Sequence, residues 1–169
     1  DKALVNAWFV SKLSIENSDN EVMQRLEEFN PQQEALATLK DLKTPLPQQY
    51  TVDSTATISL KSYKPDVLEY ESKNSNAGLA VFSEMYYPHG WKATIDGKEV
   101  PIYQVDYALR ALSVPAGTHQ IRFVFEPKVV SIGSKIAFVG YLLLLIWGVV
   151  IIGGAIMIAR GLRKQKVNQ

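Results

Sequence analysis

The feature of this chain that most limits its fold is an uninterrupted apolar segment near the C-terminus. Residues 136–159 read IAFVGYLLLLIWGVVIIGGAIMIA, 24 residues without a charged side chain. As an α-helix, a segment of this length extends about 36 Å, which exceeds the ~30 Å hydrocarbon core of a bilayer. A buried core helix is the alternative, but this length does not fit a domain this small. The segment therefore predicts a single C-terminal transmembrane helix, assigned to residues 135–159.

The charges on either side of this segment predict its orientation. Four Lys and Arg residues lie within residues 160–166, whereas Lys128 and Lys135 are the nearest cations before the segment. Cytoplasmic flanks of membrane helices carry the excess of Lys and Arg. Residues 160–169 are therefore predicted to be a basic cytoplasmic tail, and residues 1–134 to be extracytoplasmic.

Trp147 lies at the centre of the predicted span, away from the membrane interfaces that tryptophan prefers. Its indole N–H has no partner in lipid. Two interpretations stay open: the helix packs against other membrane helices, or the ring faces lipid. The chain begins at Asp1 with neither a starting Met nor a signal-peptide pattern, so we interpret it as an internal piece or a processed start of a longer protein.

Charge and composition narrow the classes of function. Residues 1–134 carry 13 Lys and Arg against 17 Asp and Glu. A nucleic-acid-binding domain presents a basic face, so nucleic acid is not an expected partner. The chain has no cysteine, which excludes disulfides and thiolate metal sites within it. Its two histidines, His89 and His119, belong to no metal-binding motif, and no nucleotide-binding fingerprint is present, so neither a metal nor a cofactor is expected.

Residues 1–130 are predicted to form a separate extracytoplasmic domain that begins with a strand and one short helix. Residues 7–14 read as an apolar first strand, although Lys12 interrupts it. Ser18 or Asp19 is placed to cap the short helix, whose apolar residues then recur at helical spacing.

From Thr55 the hydrophobic period changes to two, as in WKATI at residues 91–95. Such alternation marks strands with one face on a core and the other in water. Asp96-Gly97 is a strong hairpin signal, because type I′ turns require positive φ. Other turn signals separate the remaining segments: KPD at 64–66, NSN at 74–76 and PAG at 115–117. About seven such strands predict a mainly β fold, an antiparallel β-sandwich with meander-like connections.

Candidate binding residues gather around YYPHGW at residues 86–91 and on the next hairpin. Aromatic faces together with an arginine can bind sugar rings or a phosphate group. The structural alternative is that Trp91, which alternates with Ala93 and Ile95, points into the core and residues 88–90 are only a bend. No catalytic residue is identified. The candidate substrate-binding residues are Tyr87, His89, Trp91, Tyr107 and Arg110.

Three segments of the chain resemble the C-terminal part of the YfhO-like family of large bacterial membrane proteins. They are NAWFV at residues 6–10, FNPQQEA at 29–35 and, most specifically, FSEMYYPHGWKATIDGKEVPIYQVDYALRALSVPAGTHQIRFVFEP at 82–127. Family members often read Tyr-Pro-Gly-Trp, whereas this chain inserts His89 between the proline and the glycine.

The resemblance implies a GT-C-like glycosyltransferase of the bacterial plasma membrane that uses a lipid-linked sugar donor to decorate a cell-envelope polymer. It places the catalytic acid in an early extracytoplasmic loop, outside this chain. The chain is then the non-catalytic outer domain and last membrane span, and its expected partners are the lipid bilayer, upstream transmembrane helices and an envelope glycan or lipid-linked sugar. The alternative is a membrane-anchored β-sandwich module that binds carbohydrate or protein.

Overall fold

The computed structural model describes residues 5–42 and 44–167. The chain divides into two compact units, the first ending at Glu126 and the second beginning at Pro127. The elements of the first unit, in chain order, are β1 (Ala7–Val10), β2 (Lys12–Glu16), α1 (Asp19–Arg25), β3 (Glu34–Thr38), β4 (Thr57–Tyr63), β5 (Val67–Asn74), β6 (Gly78–Met85), β7 (Trp91–Ile95), β8 (Lys98–Val100), β9 (Tyr103–Val105), β10 (Leu109–Val114) and β11 (Gly117–Phe125).

Two antiparallel sheets face each other in the first unit. One has the strand order β1-β6-β10-β9 and the other the order β4-β5-β11-β7-β8, with a bulge in β4. Side chains from both sheets form one core, where the rings of Tyr70, Phe82 and Phe123 pack edge to face at centroid distances of 4.9 to 6.1 Å. The predicted antiparallel β-sandwich is confirmed.

Strand β6 departs from the predicted pattern because both of its faces are buried. Ala80 and Phe82 point into the core of the sandwich, whereas Leu79 and Val81 point into a second core. The second core is covered by β2 and β3, a parallel pair that the sequence analysis did not predict. A parallel pair needs a crossover connection, which α1 supplies. The helix begins as predicted, with the Ser18 hydroxyl accepting from the Glu21 N–H.

The connections between strands are not a meander. The hairpin at Asp96-Gly97 forms as predicted, with φ of 50° and 80°. The turns at 74–76 and 115–117, in contrast, carry the chain from one sheet to the other, because β5 and β11 pair together while β6 and β10 pair together. Asn74 holds these two turns in contact: its Nδ2 donates to the Asn76 and Pro115 carbonyls at 2.6 and 2.8 Å.

The sandwich has two distinct ends. The exit end, where the chain leaves the domain, contains turn 64–66, loop 86–90, turn 106–108 and Glu126. Hydrogen bonds join these pieces: Phe125 N–H donates to Asp66 O, Glu126 N–H to Gly90 O and Tyr86 N–H to Ala108 O, at 2.6 to 2.8 Å. The far end contains the turns 53–55, 74–76, 96–97 and 115–117.

The second unit is the helix α2, Lys128–Val167. Its segment Ile132–Gly154 is long and apolar enough to cross a membrane, and none of its residues is buried in the chain. The helix starts earlier than the predicted residue 135 and continues through the predicted tail as far as Val167. The last two residues of that tail lie outside the described part of the chain. Trp147 is exposed, so both interpretations of its position stay open.

Candidate functional site

A groove of about 430 Å³ lies beside the first residues of β7. It is lined by residues 86–88, by residues 91–93 of β7 and by residues 99–102, which run from β8 towards β9. The β7–β8 hairpin brings the last two groups together, because its register places Ala93 opposite Val100. The groove therefore combines the aromatic loop of the exit end with one edge of the second sheet.

Trp91 belongs both to the core and to the groove. Its half-buried ring packs against the sandwich core, with its centroid 5.2 Å from that of Phe125. The guanidinium carbon of Arg110 lies 4.1 Å from the Trp91 ring centroid, within the range of a cation–π contact. These contacts fix the indole, and its remaining surface lines the groove.

Tyr87 and His89 are exposed in loop 86–90. The Tyr87 ring lines the groove and meets the His89 ring edge to face at a centroid distance of 5.7 Å. Gly90, with φ of 115°, turns the chain back into β7 in a conformation that side chains rarely adopt. The inserted His89 thus gives Tyr87 an aromatic neighbour, although His89 itself does not line the groove.

Arg110 is only 3% exposed and does not line the groove. Its Nε donates to the Met85 carbonyl at 2.8 Å, while Nη1 is buried without a hydrogen-bond partner among the described residues. Burial lowers the pKa of Arg110, and the nearby Glu84 and Tyr70 oppose that shift. We conclude that Arg110 packs against the Trp91 ring from the protein interior. Its nitrogen atoms are not available to a ligand in the groove.

Tyr107 lies apart from the groove, in the turn between β9 and β10. Its φ is 67°, its side chain is exposed, and its carbonyl accepts a hydrogen bond from Gln104 Nε2. The structure therefore brings Tyr87, His89, Trp91 and Arg110 together around loop 86–90. The turn that carries Tyr107 contacts the same loop through the Tyr86–Ala108 hydrogen bond, but Tyr107 does not line the groove.

Sequence reasoning missed the wall formed by residues 99–102 and the charged pair at the rim. Two charged residues, Lys92 and Glu99, are among the described residues that line the groove. The Lys92 Nζ also lies 2.9 Å from Oε2 of Glu126, which does not line it. The hydrogen bond to Glu126 raises the pKa of Lys92. A signal was present: the two-residue turn at Asp96-Gly97 sets a register that places Thr94 opposite Glu99.

A second polar feature missed in the sequence is the buried Asp106, which joins the exit end to β3. Its Oδ1 accepts from the Leu36 N–H and its own N–H donates to the Leu36 carbonyl, both at 2.7 Å. Its Oδ2 is buried without a partner among the described residues. Burial raises the pKa of Asp106 to about 7, although the Leu36 hydrogen bond opposes the shift. This carboxyl group is part of the packing and lies outside the groove.

Comparison with known families decides the assignment of the chain. A family model described as "Bacterial membrane protein YfhO" matches residues 15–137. The chain belongs to the YfhO family. The match runs from β2 into α2 and includes every part of the groove, so the resemblance inferred from residues 82–127 is confirmed. The YfhO assignment and the apolar segment Ile132–Gly154 together make the chain part of a bacterial membrane protein. Searches of curated proteins and of solved structures gave no significant match.

Proposed function

We propose that the first unit of this YfhO-family chain is a non-catalytic glycan-binding domain on the outer side of the bacterial plasma membrane, anchored by α2. In this proposal the whole protein is a glycosyltransferase that takes a lipid-linked sugar donor and acts on cell-envelope polymers, with its catalytic residues outside this chain. The observation that carries the proposal is the groove lined by the rings of Tyr87 and Trp91.

The chemistry of the groove favours a sugar ring. Sugars present apolar C–H faces that stack on aromatic rings, and hydroxyl groups that need polar partners. Tyr87 and Trp91 supply the rings, while Lys92 and Glu99 supply a donor and an acceptor. Because Arg110 and Phe125 already hold the Trp91 ring, little side-chain entropy is lost on binding.

The groove also favours binding over catalysis. Hydrolysis of a glycosidic bond commonly uses two carboxyl groups that flank the scissile bond. The described lining contains one carboxylate, Glu99, and its other ionisable groups are Lys92 and two tyrosines. This composition supports a role in guiding a glycan acceptor or covering an active site that other parts of the protein provide.

The experiment is to reconstitute the chain in lipid nanodiscs and to measure its binding to a panel of envelope oligosaccharides by calorimetry. Tyr87→Ala removes an exposed ring and is expected to weaken binding about fivefold, since one stacking contact contributes about 1 kcal/mol. Lys98→Ala, at the hairpin tip outside the groove, is the matched control and should bind like the parent. Equal affinity of the parent and the Tyr87→Ala variant, or no binding to any member of the panel, would refute the proposal.

Tyr107→Ala provides a second comparison. If the ligand occupies the groove alone, this variant keeps the parent affinity for oligosaccharides, because Tyr107 does not line it. A loss equal to that of Tyr87→Ala would instead support the wider five-residue site that the sequence predicted.

A further inference from the structure

We infer that the exit end of the sandwich rests on the headgroup layer of the lipid bilayer through the exposed side chains of Tyr63, Met85 and Tyr107. These three residues are called the contact triad below. They do not line the groove. The inference uses the membrane span and the exit end, and it is independent of any ligand in the groove.

The three exposed side chains of the contact triad all lie at the exit end of the domain. Tyr63 is the last residue of β4, Met85 is the last residue of β6, and Tyr107 lies in the turn before β10. Their exposed fractions are 63%, 73% and 48%. At the far end Val52 is a less exposed apolar side chain, at 38%. The exposed residues in the far-end turns include the polar Ser54, Thr55, Ser75, Asn76, Asp96 and Thr118.

The path of the chain gives the exit end a short connection to the candidate span. Glu126 is still hydrogen-bonded to Gly90 of the exit end, and the candidate span begins at Ile132. Even when fully extended, six residues reach at most about 20 Å. The exit end is therefore the part of the sandwich with the shortest connection to the membrane, and a surface there meets lipid more readily than water-facing surfaces at the far end.

The side chains of the contact triad suit the membrane interface better than bulk water. Tyrosine is enriched at both membrane–water interfaces because its ring is apolar and its hydroxyl is polar. Methionine is flexible and apolar, which suits a contact with mobile lipid chains. Charges of both signs lie nearby: Lys64 and Asp66 share one turn, Lys92 pairs with Glu126, and the acidic Glu84 directly precedes Met85. The expected contact is therefore with the interface of any phospholipid and does not require anionic headgroups.

The chain offers a direct test because it contains no cysteine. A nitroxide spin label is attached in separate variants at Tyr63→Cys, Met85→Cys and Tyr107→Cys, and at Ser75→Cys and Ala116→Cys as controls at the far end. Each variant of the full chain is reconstituted in phosphatidylcholine vesicles. Collision of the label with oxygen, which concentrates in lipid, is compared with collision with a polar nickel chelate. We expect the oxygen-to-nickel ratio to be several-fold higher at the contact triad than at the controls.

A reporter that leaves the contact triad intact completes the test. A label at Lys64→Cys, on an exposed turn of the same end, should show low access to the nickel chelate in the parent chain. Replacing Tyr63, Met85 and Tyr107 together by serine should raise that access several-fold, while mixing phosphatidylglycerol into the vesicles should leave it unchanged. Circular dichroism confirms that the serine variant is folded. Equal access of the chelate to both ends would overturn the inference, as would a strict requirement for anionic lipid.

Discussion

The guanidinium carbon of Arg110 lies 4.1 Å from the centroid of the Trp91 ring, and Arg110 Nε donates to the Met85 carbonyl. Arg110→Ala leaves that carbonyl without its donor and opens a cavity behind the indole. We expect a loss of about 2–4 kcal/mol in the free energy of unfolding. The measurement is urea unfolding of the detergent-solubilised chain, followed by tryptophan fluorescence.

The matched control for this prediction is Arg122→Ala. Arg122 lies 3.4 Å from Glu69, and both side chains are about half exposed. Such a pair contributes less than about 1 kcal/mol. If Arg110→Ala costs no more than Arg122→Ala, then Arg110 does not support the Trp91 ring in the way proposed here.

We expect the buried Asp106 to make the free energy of unfolding decrease as pH rises. Its folded-state pKa of about 7 exceeds the ordinary value of 3.8, so the folded state binds a proton that the unfolded state has released. Stability therefore decreases between pH 3.8 and about 7, by roughly 4 kcal/mol at most for an isolated group. Asp106→Asn keeps the acceptor for the Leu36 N–H and removes the ionisation. Its stability relative to the parent should therefore increase from pH 4 to pH 8.

Urea unfolding at several pH values checks this prediction. Asp66→Asn is the matched control, because Asp66 is exposed at the exit end. The carboxylate of Glu34 also raises the pKa of Asp106, so Glu34→Gln should reduce the pH dependence in part. A constant difference between Asp106→Asn and the parent across the pH range would show that Asp106 ionises without a penalty.

His119 adds a second pH dependence, at the far end of the sandwich. Its Nδ1 lies 2.6 Å from Asp96 Oδ2 and its Nε2 lies 3.1 Å from the Ala116 carbonyl. Both partners are acceptors, so both contacts can be hydrogen bonds only when the ring is protonated on both nitrogens, as an imidazolium. The Asp96 hydrogen bond raises the pKa of His119 above 6.5. The stabilisation of the folded state by protonated His119 is therefore fully present below pH 6.5. It is lost as pH rises through the folded-state pKa of His119.

Hydrogen exchange of the amides in β7 and β8 measures this effect. Exchange in the parent should accelerate, after correction for its intrinsic pH dependence, once His119 loses its proton. His119→Gln and Asp96→Asn should each remove the acceleration, and combining them should add nothing further. An acceleration that persists in His119→Gln would assign it to another group.

The orientation of α2 is tested by reporters fused after Gln169. The cationic residues at 160–166 predict a cytoplasmic C-terminus. A green fluorescent protein, which does not mature after export in the unfolded state, should fluoresce there, and alkaline phosphatase should be inactive. Active phosphatase and dark fluorescent protein would place the sandwich in the cytoplasm and contradict the proposed function.

The sequence was sufficient where apolar and polar residues alternate regularly along a strand. WKATI at residues 91–95 alternates cleanly, and β7 forms there with its hairpin turn in place. Residues 78–82, GLAVF, are a continuous apolar run, and that run is typical of a strand covered on both faces. Reading it as one-sided concealed the second core and the layer formed by β2 and β3.

Other features could not be predicted from local pattern. The turns at 74–76 and 115–117 end their strands by composition, but composition does not specify which sheet receives the next strand. Asp106 looks like any turn aspartate in the sequence, and only the tertiary contact with Leu36, 70 residues away, makes it a buried carboxyl group. The groove depends in the same way on a wall that residues 99–102 supply through strand register.

The edge strands of the two sheets matter for a domain that is anchored in a membrane. Strands β8 and β9 have three residues each, β1 has four, and the longer β4 is interrupted by its bulge. A long, regular border offers unpaired N–H and C=O groups to another chain, whereas short or irregular ones do not. Copies anchored in one bilayer are confined to a thin layer and collide often in similar orientations. These truncated borders therefore protect neighbouring copies from joining into continuous sheets under crowding that a freely diffusing domain seldom meets.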